Sequence, residues 1–128
     1  MRYLLDTHVW LWLLTGTERL PSATVERLRQ ADQLVLSTAS VWEVVIKTSA
    51  GKLELPRPVA DLVTVSHRDA VMTPLPVDAR HALAVQDLPD LHRDPFDRVL
   101  VAQARVEQLT LVTADAKVQA YDVPLLPV

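Results

Sequence analysis

The sequence alternates short apolar segments with longer segments of helical character, and this alternation restricts the folds available to the chain. The apolar segments are Arg2–Leu5, Leu34–Leu36, Met72–Leu75, Leu109–Thr113 and Val123–Leu126. The helical segments are Thr7–Leu14, Ser22–Ala31 (with Ser22 as its cap), Ser40–Ala50, Pro58–Val65, Val77–Gln86 and Pro95–Gln108. Strands that alternate with helices form crossover units, in which neighbouring strands run parallel. The sequence therefore predicts an α/β fold with a short, mostly parallel central sheet and helices on both faces.

Length and composition favour one small domain that spans residues 1–128. The chain has no cysteine, which excludes disulfides and thiolate metal sites. The apolar run Val9–Leu14 is far shorter than the ~20 residues that a membrane-spanning helix needs. A charge at Asp6 interrupts the N-terminal segment too early for a signal peptide. We therefore expect a soluble cytoplasmic protein without a membrane partner.

The segment His92–Arg98 contains two carboxylates and two guanidiniums and leads directly into an apolar helix. Pro95 suits the first helical position, with Asp94 as the N-cap. Asp97 then lies in the first turn, and the residues three, four and seven positions later are the apolar Leu100, Val101 and Ala104. This spacing turns Asp97 toward the packed side of the helix. A buried aspartate needs a counter-charge, and a metal ion would supply one.

Acidic side chains follow several of the predicted strands, where parallel sheets bind their ligands. Asp6 follows the first strand, Asp115 comes two residues after the strand that ends at Thr113, and Glu43 lies in the helix after the second strand. Each has an ordinary structural interpretation as well: Asp6, Asp94 and Asp115 as caps or turn residues, Glu43 in a capping box with Ser40, and Asp97 at the positive end of a helix.

Together, these acids favour a metal site over a set of unrelated caps. Carboxylates that converge without a cation repel one another and raise at least one pKa. Sites made only of oxygen ligands suit Mg²⁺ or Mn²⁺. The net charge of −3 does not favour a nucleic-acid ligand, although a basic surface around an acidic site would still allow one.

The chain resembles the PIN domain family and, within it, the VapC-type toxins of bacterial toxin–antitoxin pairs. The matching segments are Leu4–His8, Ser40–Val44 with Lys47 and Gly51–Leu53, His92–Arg98, and Leu111–Asp115. They occur in the order found in the family and cover nearly the whole chain.

The resemblance implies an endoribonuclease that depends on Mg²⁺ or Mn²⁺ and hydrolyses RNA with an activated water, leaving a 5′-phosphate and a 3′-hydroxyl. It implies an acidic quartet of Asp6, Glu43, Asp97 and Asp115, with hydroxyls from Thr7 and Thr113 beside the metal. Asp94 is either an N-cap or a supporting group of the site. The resemblance also implies a homodimer and a VapB-type antitoxin partner.

The remaining polar candidates have competing interpretations. Arg98 either binds the scissile phosphate or pairs with a carboxylate for structural reasons. Lys47 lies four residues after Glu43, which favours an ion pair along one helix. The four histidines His8, His67, His81 and His92 show no zinc-ligand spacing, so we expect none of them to be a metal ligand. His92 and Arg93 could still contact a substrate phosphate.

Trp10 and Trp12 cannot share one helical face, so either both lie in the core or at least one lies at a partner groove. The resemblance favours a groove that receives the antitoxin.

Two other functions remain compatible with the residues. One is a phosphoryl-transfer hydrolase with Asp6 as its nucleophile, although the Asp-x-Asp of haloacid-dehalogenase-like enzymes is here Asp6-Thr7-His8. The other is a non-catalytic interaction module in which the acids are only caps.

Overall fold

The computed structural model describes all residues from 1 to 128 and contains one five-stranded sheet. The strands are β1 (Arg2–Leu5), β2 (Gln33–Ser37), β3 (Thr73–Leu75), β4 (Thr110–Thr113) and β5 (Leu125–Pro127). Their order in the sheet is β3-β2-β1-β4-β5, and every neighbouring pair is parallel. The predicted α/β fold is confirmed, with an entirely parallel sheet in place of a mostly parallel one.

Seven α-helices connect and cover the strands. They are α1 (Thr7–Thr15), α2 (Ser22–Arg29), α3 (Thr38–Ser49), α4 (Val59–His67), α5 (Ala79–Val85), α6 (Pro95–Glu107) and α7 (Ala116–Gln119), with 3₁₀ turns at Thr17–Arg19 and Arg68–Ala70. None of these helices is both long and apolar enough to cross a bilayer. Every predicted helix is present, and each bound lies within two residues of the expected one.

Two predicted N-caps are wrong. Helix α3 begins at Thr38 because the Ser37 hydroxyl accepts a hydrogen bond from the Ala39 N–H, at 3.1 Å. Ser40 and Glu43 consequently lie inside the helix and do not form a capping box. Helix α2 begins at Ser22 itself, after Pro21, and has no side-chain cap.

The sheet separates two hydrophobic cores, because side chains along a strand point alternately to opposite faces. Tyr3 and Leu5 of β1 pack with Trp10 and other residues of the core beneath α1 to α4. Leu4 packs into the other core, which α6 covers with Leu100, Val101, Ala102 and Ala104. Burial on both faces explains why the strands are almost uniformly apolar.

Strand β1 lies in the middle of the sheet, with β2 and β3 on one side and β4 and β5 on the other. Ligands of open parallel sheets bind in the crevice where the strand order reverses, outside the carboxyl ends of the strands. In this sheet, that crevice lies between β1 and β4. Asp6 follows β1 directly, and Thr113 ends β4.

Candidate active site

Asp6 lies at the crevice between β1 and β4, where it is 5% exposed. Its Oδ2 accepts a hydrogen bond from the Thr113 hydroxyl at 2.5 Å, and its Oδ1 lies 3.4 Å from the His8 N–H at the start of α1. Burial raises the pKa of Asp6 above its ordinary value, and the hydrogen bond from Thr113 opposes this rise. Asp6 is therefore both the cap of α1 and a buried acid at the ligand-binding edge of the sheet.

Glu43 reaches the same region from α3 and is 2% exposed. Thr7 donates to its Oε1 at 2.7 Å, and the Lys47 ammonium donates to its Oε2 at 2.5 Å. The predicted ion pair between Glu43 and Lys47 is therefore present. The pKa of Lys47 is raised, first by this hydrogen bond and to a smaller extent by the charges of Asp94 and Asp97. Lys47 thus lies in the electric field of the acids of α6.

Helix α6 begins as the sequence predicts, with Pro95 in its first turn and Asp94 as the N-cap. The Asp94 Oδ1 accepts hydrogen bonds from the backbone N–H groups of Phe96 and Asp97, at 2.8 and 3.3 Å. Asp97 is 8% exposed, which confirms that the helix turns it inward. The division between a capping acid and an inward-facing acid therefore follows from helix geometry.

Asp97 has the most perturbed carboxyl group of the site. The pKa of Asp97 is raised to about 7, first by burial and then by the negative charges of Asp6, Asp94 and, more weakly, Glu43, while the hydrogen bond from His92 lowers it. These charges affect Asp97 only because all four carboxylates converge on one place. No lysine or arginine is in salt-bridge contact with this side chain, and its side-chain hydrogen-bond partner is the His92 ring at 2.7 Å.

Asp115 lies at the rim of this cluster, with its side chain 40% exposed. Its Oδ1 caps α7 by accepting the Lys117 N–H at 2.9 Å, and its Oδ2 lies 3.6 Å from the His92 Nε2. The Asp115 N–H donates to the Thr113 hydroxyl at 3.1 Å, which links the rim to Asp6 through one side chain. The structure thus brings all four predicted acids to one edge of the sheet.

His92 is the residue of this region that the sequence interpretation undervalued. The three side chains that bring possible ligand atoms within 4.8 Å of one another are His92, Asp94 and Asp97, not three members of the predicted quartet. A spacing rule for zinc could not find His92, because it lies in the loop before α6. Its position five residues ahead of an inward-facing aspartate was the available signal.

Arg98 does not face the acids, so its interpretation as a phosphate ligand is not supported. Its guanidinium donates to backbone carbonyl oxygens in the loop between α5 and α6 and to the Tyr121 hydroxyl, at 3.0 Å. Its contact with a carboxylate is marginal, since Asp90 is fully exposed and 3.9 Å away. Arg98 is a structural residue whose partners are mainly carbonyl groups.

Trp10 and Trp12 both pack with the core, as one of the two alternatives predicted, and neither lies at the partner groove that the resemblance favours. Trp10 is completely buried and donates to the Ser66 hydroxyl at 2.8 Å, while Trp12 is half-buried against the same core. The exposed tryptophan is Trp42 on α3, at 63%, and its ring meets that of Phe96 edge to face with centroids 5.5 Å apart. The two rings line an apolar groove of about 460 Å³ beside α3 and α6.

We call Asp6, Glu43, Asp94, Asp97 and Asp115, with the hydroxyls of Thr7 and Thr113, the acid site. All of its donors are oxygen atoms, the ligand type that Mg²⁺ and Mn²⁺ prefer. Lys47 is the single amine that pairs with these carboxylates, and it contacts Glu43 only. The buried carboxyls of Asp6 and Asp97 therefore fit a divalent cation, which would offset the burial and the mutual repulsion that raise their pKa values.

A model of the PIN domain family matches residues 3–124. Ribonuclease VapC22 of Mycobacterium tuberculosis is 27% identical over 122 residues, which is 94% of this chain and 92% of that protein. Two solved complexes share the fold. The VapBC2 complex of Rickettsia felis with a promoter DNA fragment has a TM-score of 0.73 at 16% identity, over 99% of this chain and 98% of that one. VapBC-1 of nontypeable Haemophilus influenzae has a TM-score of 0.68 at 20% identity, over 99% and 98%.

Proposed function

The chain belongs to the PIN domain family, and from that premise we propose that it is a VapC-type endoribonuclease, the toxin of a toxin–antitoxin pair. The observation that carries this proposal is the pair of buried carboxyls, Asp6 and Asp97, at the carboxyl edge of the sheet. The similarity to Ribonuclease VapC22 supports RNA as the substrate. We propose that it acts in the cytoplasm, where bacterial RNA is found.

We further propose that Asp6, Glu43, Asp97 and Asp115 hold Mg²⁺ or Mn²⁺. A divalent cation, when bound, supplies Lewis-acid stabilisation of a phosphodiester and activation of the attacking water. The chain's own residues orient this site. Thr113 holds Oδ2 of Asp6, and Thr7 and Lys47 fix the two oxygens of Glu43. The Asp94 carboxylate satisfies the first N–H groups of α6, so that Asp97 stays directed inward.

Hydrolysis at this site adds the water oxygen to phosphorus and breaks the bond to the 3′ oxygen, which takes up a proton. The products are a 5′-phosphate and a 3′-hydroxyl. The N-termini of α3 and α6 lie beside the acids, and the positive ends of the two helix dipoles favour the negative phosphate.

Expression in a bacterial host tests the proposed function. We expect the wild-type protein to arrest growth, and Asp6→Ala and Asp97→Ala to relieve the arrest while each variant remains folded. Mn²⁺ should raise the melting temperature of the wild-type protein and not that of Asp97→Asn. Full toxicity of both alanine variants would contradict the assignment of the site.

One further measurement and the experiments above separate the two other functions. A hydrolase with Asp6 as nucleophile would form an acyl phosphate on Asp6, which mass spectrometry detects after acid quenching. An interaction module would show neither stabilisation by Mn²⁺ nor growth arrest that depends on Asp97.

We also propose that the protein forms a homodimer and binds a VapB-type antitoxin. Support for an antitoxin comes from the structural neighbours, which are VapBC complexes. Support for the dimer comes from the apolar face formed by Trp42, Val45 and Ile46 of α3, which are 63%, 43% and 41% exposed, together with Phe96. A patch of this kind marks a protein interface in a small domain. Light scattering should show a dimer for the wild-type protein and a monomer for Trp42→Asp.

A further inference from the structure

The Arg98 side chain of α6 hydrogen-bonds the backbone of the preceding loop, residues 86–94, and of the last residue of α5. Nη1 of Arg98 donates to the carbonyl oxygens of Pro89 and His92, at 2.9 and 3.4 Å. Nη2 donates to the carbonyl oxygens of Val85 and Leu88, at 3.3 and 3.5 Å. Only the planar, forked donor set of a guanidinium can serve this many acceptors at once. The loop is therefore built around Arg98.

The last residue held by Arg98 is His92, whose ring contacts the acid site. The Arg93 N–H donates to the His92 Nδ1 at 3.1 Å. Because Nδ1 accepts this hydrogen bond, the ring hydrogen is on Nε2. Nε2 then donates to Oδ2 of Asp97 at 2.7 Å. The ring has one tautomer and one orientation, and both are set by its neighbours.

These contacts form a closed ring of interactions. Arg98 binds the backbone of His92, the His92 side chain binds Asp97, and Asp97 is covalently joined to Arg98. The side chains of His92 and Arg98 are 12% and 14% exposed, so water competes weakly for these hydrogen bonds. These contacts fix Oδ2 of Asp97 and leave its Oδ1 without a side-chain hydrogen bond.

We propose that Arg98 and His92 are positioning residues for the proposed reaction, and that they orient the Asp97 carboxylate for its ligand through the loop that they hold. The inference rests on the proposed function and names how one carboxylate of that site is held. A hydrogen bond from a second residue to a metal-binding carboxylate fixes its orientation, and loss of such a partner typically costs about 10- to 100-fold in metal affinity or activity.

Four variants test the role in the full-length protein. His92→Ala removes the donor to Asp97, and His92→Gln replaces it with an amide N–H of similar reach. Arg98→Lys keeps the charge and loses the fork. Arg105→Ala is the control, because Arg105 is an exposed arginine of the same helix. Mn²⁺ affinity is measured by calorimetry, and RNA cleavage is measured as separate kcat and KM values.

We expect His92→Ala and Arg98→Lys each to weaken Mn²⁺ binding and to lower kcat by about 10-fold or more, with KM little changed. His92→Gln should recover most of both losses, and Arg105→Ala should match the wild-type protein. A merely structural role for His92 predicts no rescue by glutamine. Wild-type values in His92→Ala and Arg98→Lys, or a His92→Gln as impaired as His92→Ala, would overturn the proposal.

Nuclear magnetic resonance of the histidine ring nitrogens supplies a readout that needs neither metal nor RNA. We expect a protonated Nε2 and an unprotonated Nδ1 for His92, and loss of this fixed state in Arg98→Lys. Nδ1 protonation or free tautomer exchange in the wild-type protein would overturn the proposal. If the wild-type protein cleaves no RNA, the ribonuclease function fails, and the ring signals and Mn²⁺ affinities still decide the role of Arg98 and His92.

Discussion

Helices α5 and α6 begin alike, and the difference between them separates a structural cluster from a functional one. Each has an aspartate cap, Asp78 or Asp94, and a titratable residue three positions later, His81 or Asp97. In α5, the His81 ring turns back and accepts the Asp78 N–H at 3.0 Å, which completes a capping box. In α6, the Asp97 side chain turns away from its cap and enters the acid site. We call the start of α5 closed, because its third residue hydrogen-bonds its own cap. We call the start of α6 open, because Asp97 leaves its cap and can reach a ligand.

The charged groups around His81 and around Asp97 differ in the same way as the two helix starts. His81 Nε2 meets Glu107 at 3.1 Å, and Arg80 reaches both Glu107 and Asp78 at 3.0 Å. The pKa of Glu107 is lowered, first by the hydrogen bond from His81, and that of Asp78 is lowered, first by the hydrogen bond from Arg80. Asp97 has no such cation, and its pKa is raised. A completed ionic network stabilises its own folded state, whereas an uncompensated acid favours a ligand.

The largest expected effect concerns catalysis. Asp97→Asn should reduce the rate of RNA cleavage by at least about 100-fold, because it removes a charge that holds the cation. Loss of a residue that only hydrogen-bonds a metal ligand costs up to about 100-fold, and loss of the ligand itself should cost at least as much. Asp94→Asn should retain most of the rate, since an asparagine still caps the helix. Glu107→Gln, from the closed cluster, should leave the rate unchanged. Equal losses in the two α6 variants would abolish the distinction between them.

Asp97→Asn should lower the cleavage rate but raise the free energy of unfolding measured without metal. The pKa of Asp97 in the folded protein is about 7, above its ordinary value of 3.8, so the folded state binds more protons between these values. The wild-type protein therefore loses stability as the pH rises through this interval. Asp97→Asn should be more stable by about 1–3 kcal/mol at pH 7.5, with the gain disappearing below pH 4. Urea denaturation in chelator at both pH values measures this, and a destabilised variant at pH 7.5 would contradict it.

The two caps should behave identically, although their neighbours differ. Asp78→Ala and Asp94→Ala should each lower the free energy of unfolding, as the loss of an N-cap does, and the asparagine variants should recover most of the loss. Thermal and urea denaturation at pH 7 provide the measurement. A larger loss for Asp94→Asn than for Asp78→Asn would mean that Asp94 contributes more than a cap.

The smallest effect is expected at Glu107. Its folded-state pKa is lowered, so its stabilising contribution is present at neutral pH and is lost as the pH falls through that pKa. Because the side chain is partly exposed, Glu107→Gln should cost less than about 1 kcal/mol at pH 7 and nothing in strong acid. Urea denaturation of both proteins at pH 7 and at pH 3 measures this difference. An equal loss of stability at the two pH values would contradict the prediction.

Sequence periodicity predicted the fold because each strand is buried on both faces and each helix has an apolar side. It also predicted that Asp94 caps α6 and that Asp97 faces inward, since capping and helical phase are local properties. It could not predict the orientation of Arg98 or the position of His92. Both depend on how the loop at residues 86–94 folds back on α6, and hydrogen bonds to backbone carbonyls leave no pattern in the sequence. The predicted cap Ser40 is wrong because α3 begins two residues earlier, where the Ser37 hydroxyl accepts the Ala39 N–H.

Mn²⁺ binding by calorimetry, compared among the wild-type protein, Asp94→Asn and Asp97→Asn, tests the central claim most directly. If Asp97 is the open acid of α6, the wild-type protein and Asp94→Asn bind Mn²⁺ with comparable affinity, and Asp97→Asn shows no saturable heat. Wild-type affinity in Asp97→Asn would contradict the account, because the buried carboxyl that distinguishes α6 from α5 would then have no part in binding the cation.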